Sequence, residues 1–466
     1  MICALFPPPQ VRLGFHWHLY ETSPGNWNET YIEVVQDVAT RLGDAGIYVL
    51  MDMHQDNWSP LYCGGHGFPA FIGFPKDDPK YYRGGAAAFP WPVASPTYSA
   101  SPLCVPSPSN ASHSFCAIAD CSNATSSPLG WASTYATAAL GSSAQRLYDD
   151  DGGVLGLFEA FWARVARRFA PLTNVVGYGL VNEPWLGDVW ADPTLLLPGQ
   201  SDLRNLQPMY ARLAAAIRAA DPDTPVWFEP ATGGNILDAL PAGFNATPDA
   251  NSALGYHVYC PSLQVDLPHS GHRNETKLWE DLAGCQAMNA AQFDVRDADR
   301  DRLGVPGVLT EFGSVSQMPQ TEALLRWTVA EMDRRLNGWA YWLLNPSTDP
   351  ARPNWELPVL RRPFPHSVPG RLVSLDWDTN TTTLRVVFGY RPPAGDSSAL
   401  RGAGQAAPAA SVYAPPEVFG GSAPSWTVSP PESVSSGTQD PATGVLTLLL
   451  EPTLAAGTNV TITLQG

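Results

Sequence analysis

The sequence predicts an α/β protein: a TIM-type (β/α)8 barrel that lacks its first βα unit, followed by a C-terminal β-sandwich. Three observations carry the prediction. Short apolar runs rich in β-branched and aromatic residues alternate with helical patterns up to about residue 342, the order that builds parallel βαβ units. Acidic and amide residues recur directly after several of those runs, where parallel barrels place their chemistry. Beyond Pro369 the helical period disappears and short strands between turn-rich segments remain, which reads as a sandwich of roughly 100 residues.

The elements follow in order. Residues 11–15 read as a strand, and Tyr31, Val34, Val35, Val38 and Leu42 then fall at helical spacing before a break at Gly43 and Gly46. Residues 47–51 are a buried strand. Phe158, Phe161, Trp162, Val165 and Phe169 mark the next helix, with a strand at 175–181 behind it. A helix at 209–220 leads to a strand at 226–228. Strands at 253–259, 308–310 and 339–342 complete the set, with a helix at about 322–336 between the last two. That makes seven strands, one short of a barrel. Residues 1–10 offer no room for the missing strand and helix, and seven strands would leave two open edges. The expectation is an incomplete gene model whose upstream part holds the first unit. Within the barrel domain, placed at 1–366, a Pro-, Gly-, Ser- and Ala-rich insertion at about 59–150 carries Phe68, Phe71, Phe74, Phe89 and Trp91. Its aromatics and Cys favour an ordered segment over a linker. The sandwich, placed at 367–466, has strands at 371–377, 384–390, 411–413, 426–428, 445–450 and 460–464, with a loop at 392–410.

The 466 residues carry a formal net charge of −17, which argues against nucleic acid as a partner, since polyanions bind basic surfaces. Hydrophobic residues make up 44% and charged ones 15%, outside the range of a disordered chain. No apolar stretch reaches the ~18 residues of a transmembrane segment. The seven Cys include no CxxC pair, so a zinc motif is not supported. Asn-x-Ser/Thr triplets at Asn28, Asn57, Asn110, Asn123, Asn245, Asn274, Asn380 and Asn459, beside clustered Cys, point to a secreted or luminal compartment. Two Cys groups are expected to form disulfides: Cys63, Cys104, Cys116 and Cys121, with connectivity open, and Cys260 with Cys285. Cys3 is left over. The N-terminus shows neither the basic region nor the apolar core of a signal peptide, so that peptide too is expected upstream.

Two carboxylates stand at the mouths of separate strands: Glu183 in Asn182-Glu183-Pro184-Trp185, and Glu311 in Thr310-Glu311-Phe312-Gly313. Retaining glycoside hydrolysis asks for a proton donor and a nucleophile about 5–5.5 Å apart. Asn182, just before the donor, can hold the sugar hydroxyl beside the anomeric carbon. Either Glu alone could be a carboxylate at a helix start; the ordered pair favours chemistry. Arg12 lies in the first visible strand, where its cation can depress the pKa of a nearby nucleophile. Asp52 and His54 end the next strand. His257 and Tyr259 alternate along another and so share a face. A lone His is more often a satisfied core residue, yet His54 and His257 each fall beside other polar groups at a strand mouth. Trp342 offers a flat platform for a sugar ring. His16-Trp17-His18 has no third ligand and reads as substrate rim. Asp149-Asp150-Asp151-Gly152 lacks calcium-loop spacing and reads as a solvated turn. No metal and no cofactor is expected. Asn57 would put a glycan at the site's mouth, so its triplet is expected to stay unused.

The set Arg12, His54, Asn182-Glu183, His257-x-Tyr259, Glu311 and Trp342 resembles the active-site pattern of glycoside hydrolase family 5, and within it most the endoglycoceramidase group. Supporting segments are Tyr48-Val-Leu-Met-Asp-Met-His-Gln-Asp56, Cys63-Gly-Gly-His-Gly67, Leu147-Tyr-Asp149, Gly177-Tyr-Gly-Leu-Val-Asn-Glu-Pro-Trp185, Leu309-Thr-Glu-Phe-Gly313 and Arg362-Pro-Phe-Pro-His-Ser-Val-Pro-Gly370. The resemblance implies Glu183 as acid/base and Glu311 as nucleophile. Asp52, His54, Asn182, Tyr259 and Trp342 would hold the first sugar, and Tyr259 would also orient Glu311. The implied reaction is hydrolysis, with retention, of the β-glycosidic bond between a glycan or glucose and ceramide. The two Glu environments must then differ, raising one pKa and lowering the other. In the family the missing barrel unit carries cations that contact outer sugars.

The insertion's aromatics, with Trp185 and Trp190, form either an apolar slot for lipid chains or mere anchors of a large loop. Two other functions stay open: a family 5 β-glucosidase acting on steryl glucosides or glucans, and an inactive carbohydrate- or lipid-binding protein. A monomer with transient membrane-surface contact is expected.

Overall fold

The computed structural model describes residues 2–6, 10–60, 65–73, 135, 138–232, 239–263, 275–343, 355–392 and 408–466. By packing, the chain divides into two compact units, one built chiefly of Gln10–Ser316 with Ala340–Leu344, the other of Gln317–Trp339 with Asn345–Gly466. The second unit thus takes in a helix and a segment ahead of the sandwich expected at 367–466.

Eight strands close into a barrel: β1 (Ile2–Phe6), β2 (Gln10–Phe15), β3 (Tyr48–Met53), β4 (Val175–Gly179), β5 (Val226–Phe228), β6 (Ser252–His257), β7 (Gly307–Gly313) and β8 (Gly338–Trp342), with β8 back beside β1. The seven expected strands form. The expected open edge is corrected: Ile2–Phe6 takes the eighth place. Only three residues separate Phe6 from Gln10, a length that suits a hairpin and not a parallel crossover, which needs a dozen or more. The eighth place is filled by a strand with no crossover helix of its own, which βα periodicity passes over.

Alternation along the strands decides which residues reach the barrel interior. Val11, Leu13 and Phe15 of β2, and Val49, Met51 and Met53 of β3, join the buried apolar cluster with the surrounding helices. Arg12, Gly14, Leu50 and Asp52 therefore face the other way. In register, Gly14 lies opposite Asp52, and Asp52 opposite Gly179. A Cβ on Gly14 would stand 3.3 Å from His54 Cβ, and one on Gly179 3.2 Å from Asp52 Oδ1, so the two glycines make room for the polar pair between them.

Helix α1 (Glu29–Asp44) buries Ile32, Val35 and Ala39 and starts at Asn28, whose side chain accepts from the Tyr31 N–H at 3.1 Å. Helix α2 (Ala138–Tyr148) lies inside the insertion. Before α3 (Val154–Phe169), Asp150 Oδ1 accepts from the Leu155 and Gly156 N–H groups at 2.9 and 3.3 Å, so the acidic turn satisfies donors that a helix start leaves open. Longer helices further along are α4 (Gln207–Arg218), the 29-residue α5 (Glu275–Leu303) and, in the second unit, α6 (Pro319–Arg335). Cys260 and Cys285 form a disulfide that ties the segment after β6 to α5. Of the insertion's aromatics, Phe68 stacks on Trp58 at 4.0 Å and Phe71 meets Trp17 edge-on at 6.2 Å, so these two fasten the segment to the core. Phe74, Phe89, Trp91 and the Cys63, Cys104, Cys116 and Cys121 group lie outside the described residues. No described helix is long and apolar enough to cross a membrane.

The second unit holds two four-stranded antiparallel sheets. One orders β9 (Phe364–Ser367), β12 (Ala409–Tyr413), β15 (Val445–Leu450) and β14 (Val434–Asp440). The other orders β10 (Gly370–Asp378), β11 (Thr383–Tyr390), β16 (Asn459–Gln465) and β13 (Ser425–Ser429). Leu384, Val386 and Phe388 alternate inward with Leu446, Leu448 and Leu450 and with Val460, Ile462 and Leu464, the period-2 core of a sandwich.

Candidate active site

The site is built around Arg12. The residue is 2% exposed. Nη1 donates to Glu311; Nη2 donates to Asn182 Oδ1 at 2.6 Å and Asp52 Oδ1 at 3.0 Å and lies 3.4 Å from Glu229 Oε1. A buried cation is tolerated only among such partners. The Tyr259 hydroxyl donates to Glu311 Oε2 at 2.6 Å, so both oxygens of Glu311 are fixed from opposite strands. His257, directly opposite Glu311 in the β6–β7 register, comes within 3.5 Å of it.

Glu183 follows β4 with its backbone in the left-handed region, φ 42°, a conformation that costs a non-glycine residue about 1–3 kcal/mol and clusters at functional sites. Its carboxylate accepts from His257 Nδ1 at 2.7 Å. One oxygen of Glu183 and one of Glu311 lie within 4.8 Å of each other, a spacing fit for a retaining pair and too short to seat the water of an inverting one. Burial raises the pKa of Glu183, and the negative charges of Glu311 and Asp56 add to it against the opposing pull of His257. This carboxyl is the one disposed to carry a proton.

A third carboxylate was not anticipated. Glu229 follows β5, accepts the Glu183 backbone N–H at 3.0 Å, and meets His257 Nε2 at 3.2 Å. Burial works against its charge, but His257, Arg12 and the Glu183 amide together hold it down to about 2. It therefore stays ionised and cannot donate the proton. His257 is pushed well above its ordinary value, because Glu229, Glu311 and Glu183 outweigh its burial. It is a buried cation among three carboxylates, placed behind the reacting groups more than at the rim. The signal for Glu229 was present: Phe228-Glu229-Pro230 repeats the Glu-Pro step of Glu183-Pro184 at the end of the next strand.

A chain of alternating charges leads from Arg12 to the rim. Asp52 takes His54 Nδ1 at 2.8 Å, and Asp56 sits 3.4 Å from His54 Nε2 and 3.3 Å from His66 Nε2. Burial opposes the His54 charge, yet Asp52 and Asp56 carry it to about 10. Asp56 and His66 are also joined by two backbone hydrogen bonds. Trp342 lies flat against His54, with centroids 5.0 Å apart and planes 5° apart, as a cation against an indole face. His16 Nδ1 donates to the His54 carbonyl at 2.9 Å, and its ring lies 4.7 Å from His66. Burial, with His66, His54 and His18 beside it, lowers His16 to about 4.

The structure thus brings together all nine expected residues, Arg12, Asp52, His54, Asn182, Glu183, His257, Tyr259, Glu311 and Trp342, and adds Glu229, Asp56 and His66. Among the described residues one trio, Glu183, His257 and Glu311, sets metal-capable atoms within 4.8 Å of one another. Asn57 is fully buried, which leaves no room for a glycan.

The family model "Cellulase (glycosyl hydrolase family 5)" matches residues 10–348. The endoglycoceramidase of Hydra vulgaris is 30% identical over 393 residues, which are 81% of this chain and 66% of that protein. The endoglycoceramidase of Cyanea nozakii is 30% identical over 338 residues, 72% of this chain and 57% of its own. The chain therefore spans less than two thirds of the length of these relatives. The endo-glycoceramidase II of Rhodococcus sp., solved as a complex with ganglioside GM3, shares the fold with a TM-score of 0.69 at 21% identity, over 98% of this chain and 88% of that one.

Proposed function

The chain belongs to glycosyl hydrolase family 5, and we propose that it is a retaining glycosidase that cleaves the β-glycosidic bond between a glycan, or glucose, and ceramide. The approach of Glu183 and Glu311 within 4.8 Å, with the Glu183 pKa raised by its burial, carries the reading. Glu311, fixed by Arg12 and Tyr259, attacks the anomeric carbon while Glu183 gives its proton to the departing ceramide oxygen. The bond to ceramide breaks and a glycosyl ester forms on Glu311. Water then attacks the anomeric carbon, Glu183 takes its proton, and the ester bond breaks with net retention. Asn182 and Asp52 hold hydroxyls of the first sugar, whose ring rests on Trp342.

The lipid aglycone is supported by the endoglycoceramidases among the relatives and by the GM3 complex of the fold neighbour. A steryl glucoside is the second reading, favoured by a 62-residue match at 37% identity to the ergosteryl-β-glucosidase of Saccharomyces cerevisiae. The Cys260–Cys285 disulfide supports a secreted or luminal setting, in which the protein acts as a monomer with transient membrane contact.

The test is incubation with glucosylceramide, a ganglioside and a steryl glucoside, read by mass spectrometry. Free ceramide with the intact glycan is the expected product. Release of sterol alone selects the second reading, and no release from any of the three overturns both.

A further inference from the structure

The second compact unit contains a cavity of about 100 Å³ that the glycosidase reading does not use. Three arginines line it: Arg326 on α6, and Arg361 and Arg362 just after helix α7 (Glu356–Leu360). The Trp377 indole near the end of β10 forms a wall, and Val329 adds an apolar patch. No carboxylate lines it among the described residues. In a chain with 27 basic residues against 44 acidic ones, three guanidinium groups around one small space is a concentrated exception.

Two of the three have capacity to spare. Arg362, which opens the Arg362-Pro-Phe-Pro segment, is buried against Asp333. Burial lowers it to about 10, with Asp376 opposing, so it holds its place in the wall through Asp333. Arg361 has Glu417 at 3.8 Å, beyond hydrogen-bond length. Arg326 is exposed, and no ion pair engages it among the described residues. Guanidinium forks match oxyanions. A cavity of this volume has room for a phosphate group.

We propose that this pocket binds the phosphate of an anionic membrane lipid. Overall charge alone would repel this chain from an anionic bilayer, so attachment there needs a local cationic site. An indole beside the guanidinium groups suits the headgroup level, where Trp is enriched.

The test is flotation of the full chain with phosphatidylcholine vesicles, with and without phosphatidic acid. Neither contains glycosphingolipid, so the outcome is independent of the glycosidase reading. The chain floats with the anionic vesicles, and Arg326→Ala with Arg361→Ala weakens this about 30-fold. Turnover of a soluble aryl glycoside stays unchanged. A control pair, Arg41→Ala with Arg334→Ala, both well exposed, leaves binding in place. Equal binding by wild type and the Arg326/Arg361 variant, or no preference for anionic vesicles, overturns the proposal. Inorganic phosphate that raises the Tm of the wild type and not of that variant, without vesicle binding, overturns the membrane source and leaves a free-phosphate site.

Discussion

Glu229 Oε2 accepts the backbone N–H of Glu183 at 3.0 Å, so one carboxylate positions the main chain that carries another. The left-handed backbone of Glu183 is held from the neighbouring strand end and does not rest on local propensity.

Glu229→Gln keeps the shape and removes the charge. We expect kcat to fall about 10- to 100-fold, the worth of a charge-assisted hydrogen bond, with little change in KM. The pH dependence of stability should change as well. Glu229 is held at about 2, below its ordinary 4.5. Its stabilisation is therefore complete above 4.5 and lost as pH falls from there toward 2. Thermal denaturation across that window should show a shallower acid loss in the variant; identical slopes would remove Glu229 from this role.

Glu183 has the opposite sign. Its raised pKa keeps the proton on to higher pH than an ordinary Glu, so kcat/KM should hold below that pKa and decline as pH rises through it. Glu183→Gln lowers activity about 10²- to 10⁴-fold and erases the alkaline limb. An alkaline limb that persists in the variant assigns it to another group.

Glu311→Gln should lower kcat on the order of 10⁴-fold. A 2-deoxy-2-fluoro glycoside with a good leaving group should trap the ester, and peptide mapping should place the added mass on the segment holding Glu311. A label on the Glu183 or Glu229 segment would reverse the assignment.

Tyr259 and the disulfide next to it separate chemistry from stability. Tyr259→Phe removes the 2.6 Å bond to Glu311 and should cost tenfold or more in kcat/KM at unchanged Tm. Cys260→Ser with Cys285→Ser opens a link between residues 25 apart and should cost about 3 kcal/mol of stability. Denaturant titration and steady-state kinetics on both variants check the contrast.

Most of the barrel was legible because each strand is a bounded apolar run, and every expected residue but Arg12 sits at or just past the end of one. Glu229 was not, although its strand Val226–Phe228 is legible, because a carboxylate that positions other groups has no place in the two-carboxylate pattern that singles out Glu183 and Glu311. Ile2–Phe6 escaped notice because its strand has no following helix, and pairing alone defines it. Helix α5 was unannounced because its apolar residues keep no regular face along its 29 positions. The Asp56–His66 bridge depends on how a loop folds back on itself, which residue spacing does not encode. Arg12 was foreseen as a partner of the nucleophile, but its simultaneous hold on Asp52 and Asn182 is a property of the closed ring.

That hold has a bearing on biosynthesis. The Arg12–Glu311 contact joins residues 299 apart in the chain, and the same guanidinium engages groups from β3 and from the ends of β4 and β5. The nucleophile's counter-charge is therefore delivered only once the last barrel strands have been made and seated. A nascent chain that ends before β7 lacks Glu311 itself, and one that has made β7 without closing the ring lacks the Arg12 contact. The proposed hydrolysis thus depends on closure of the ring and not on any one segment.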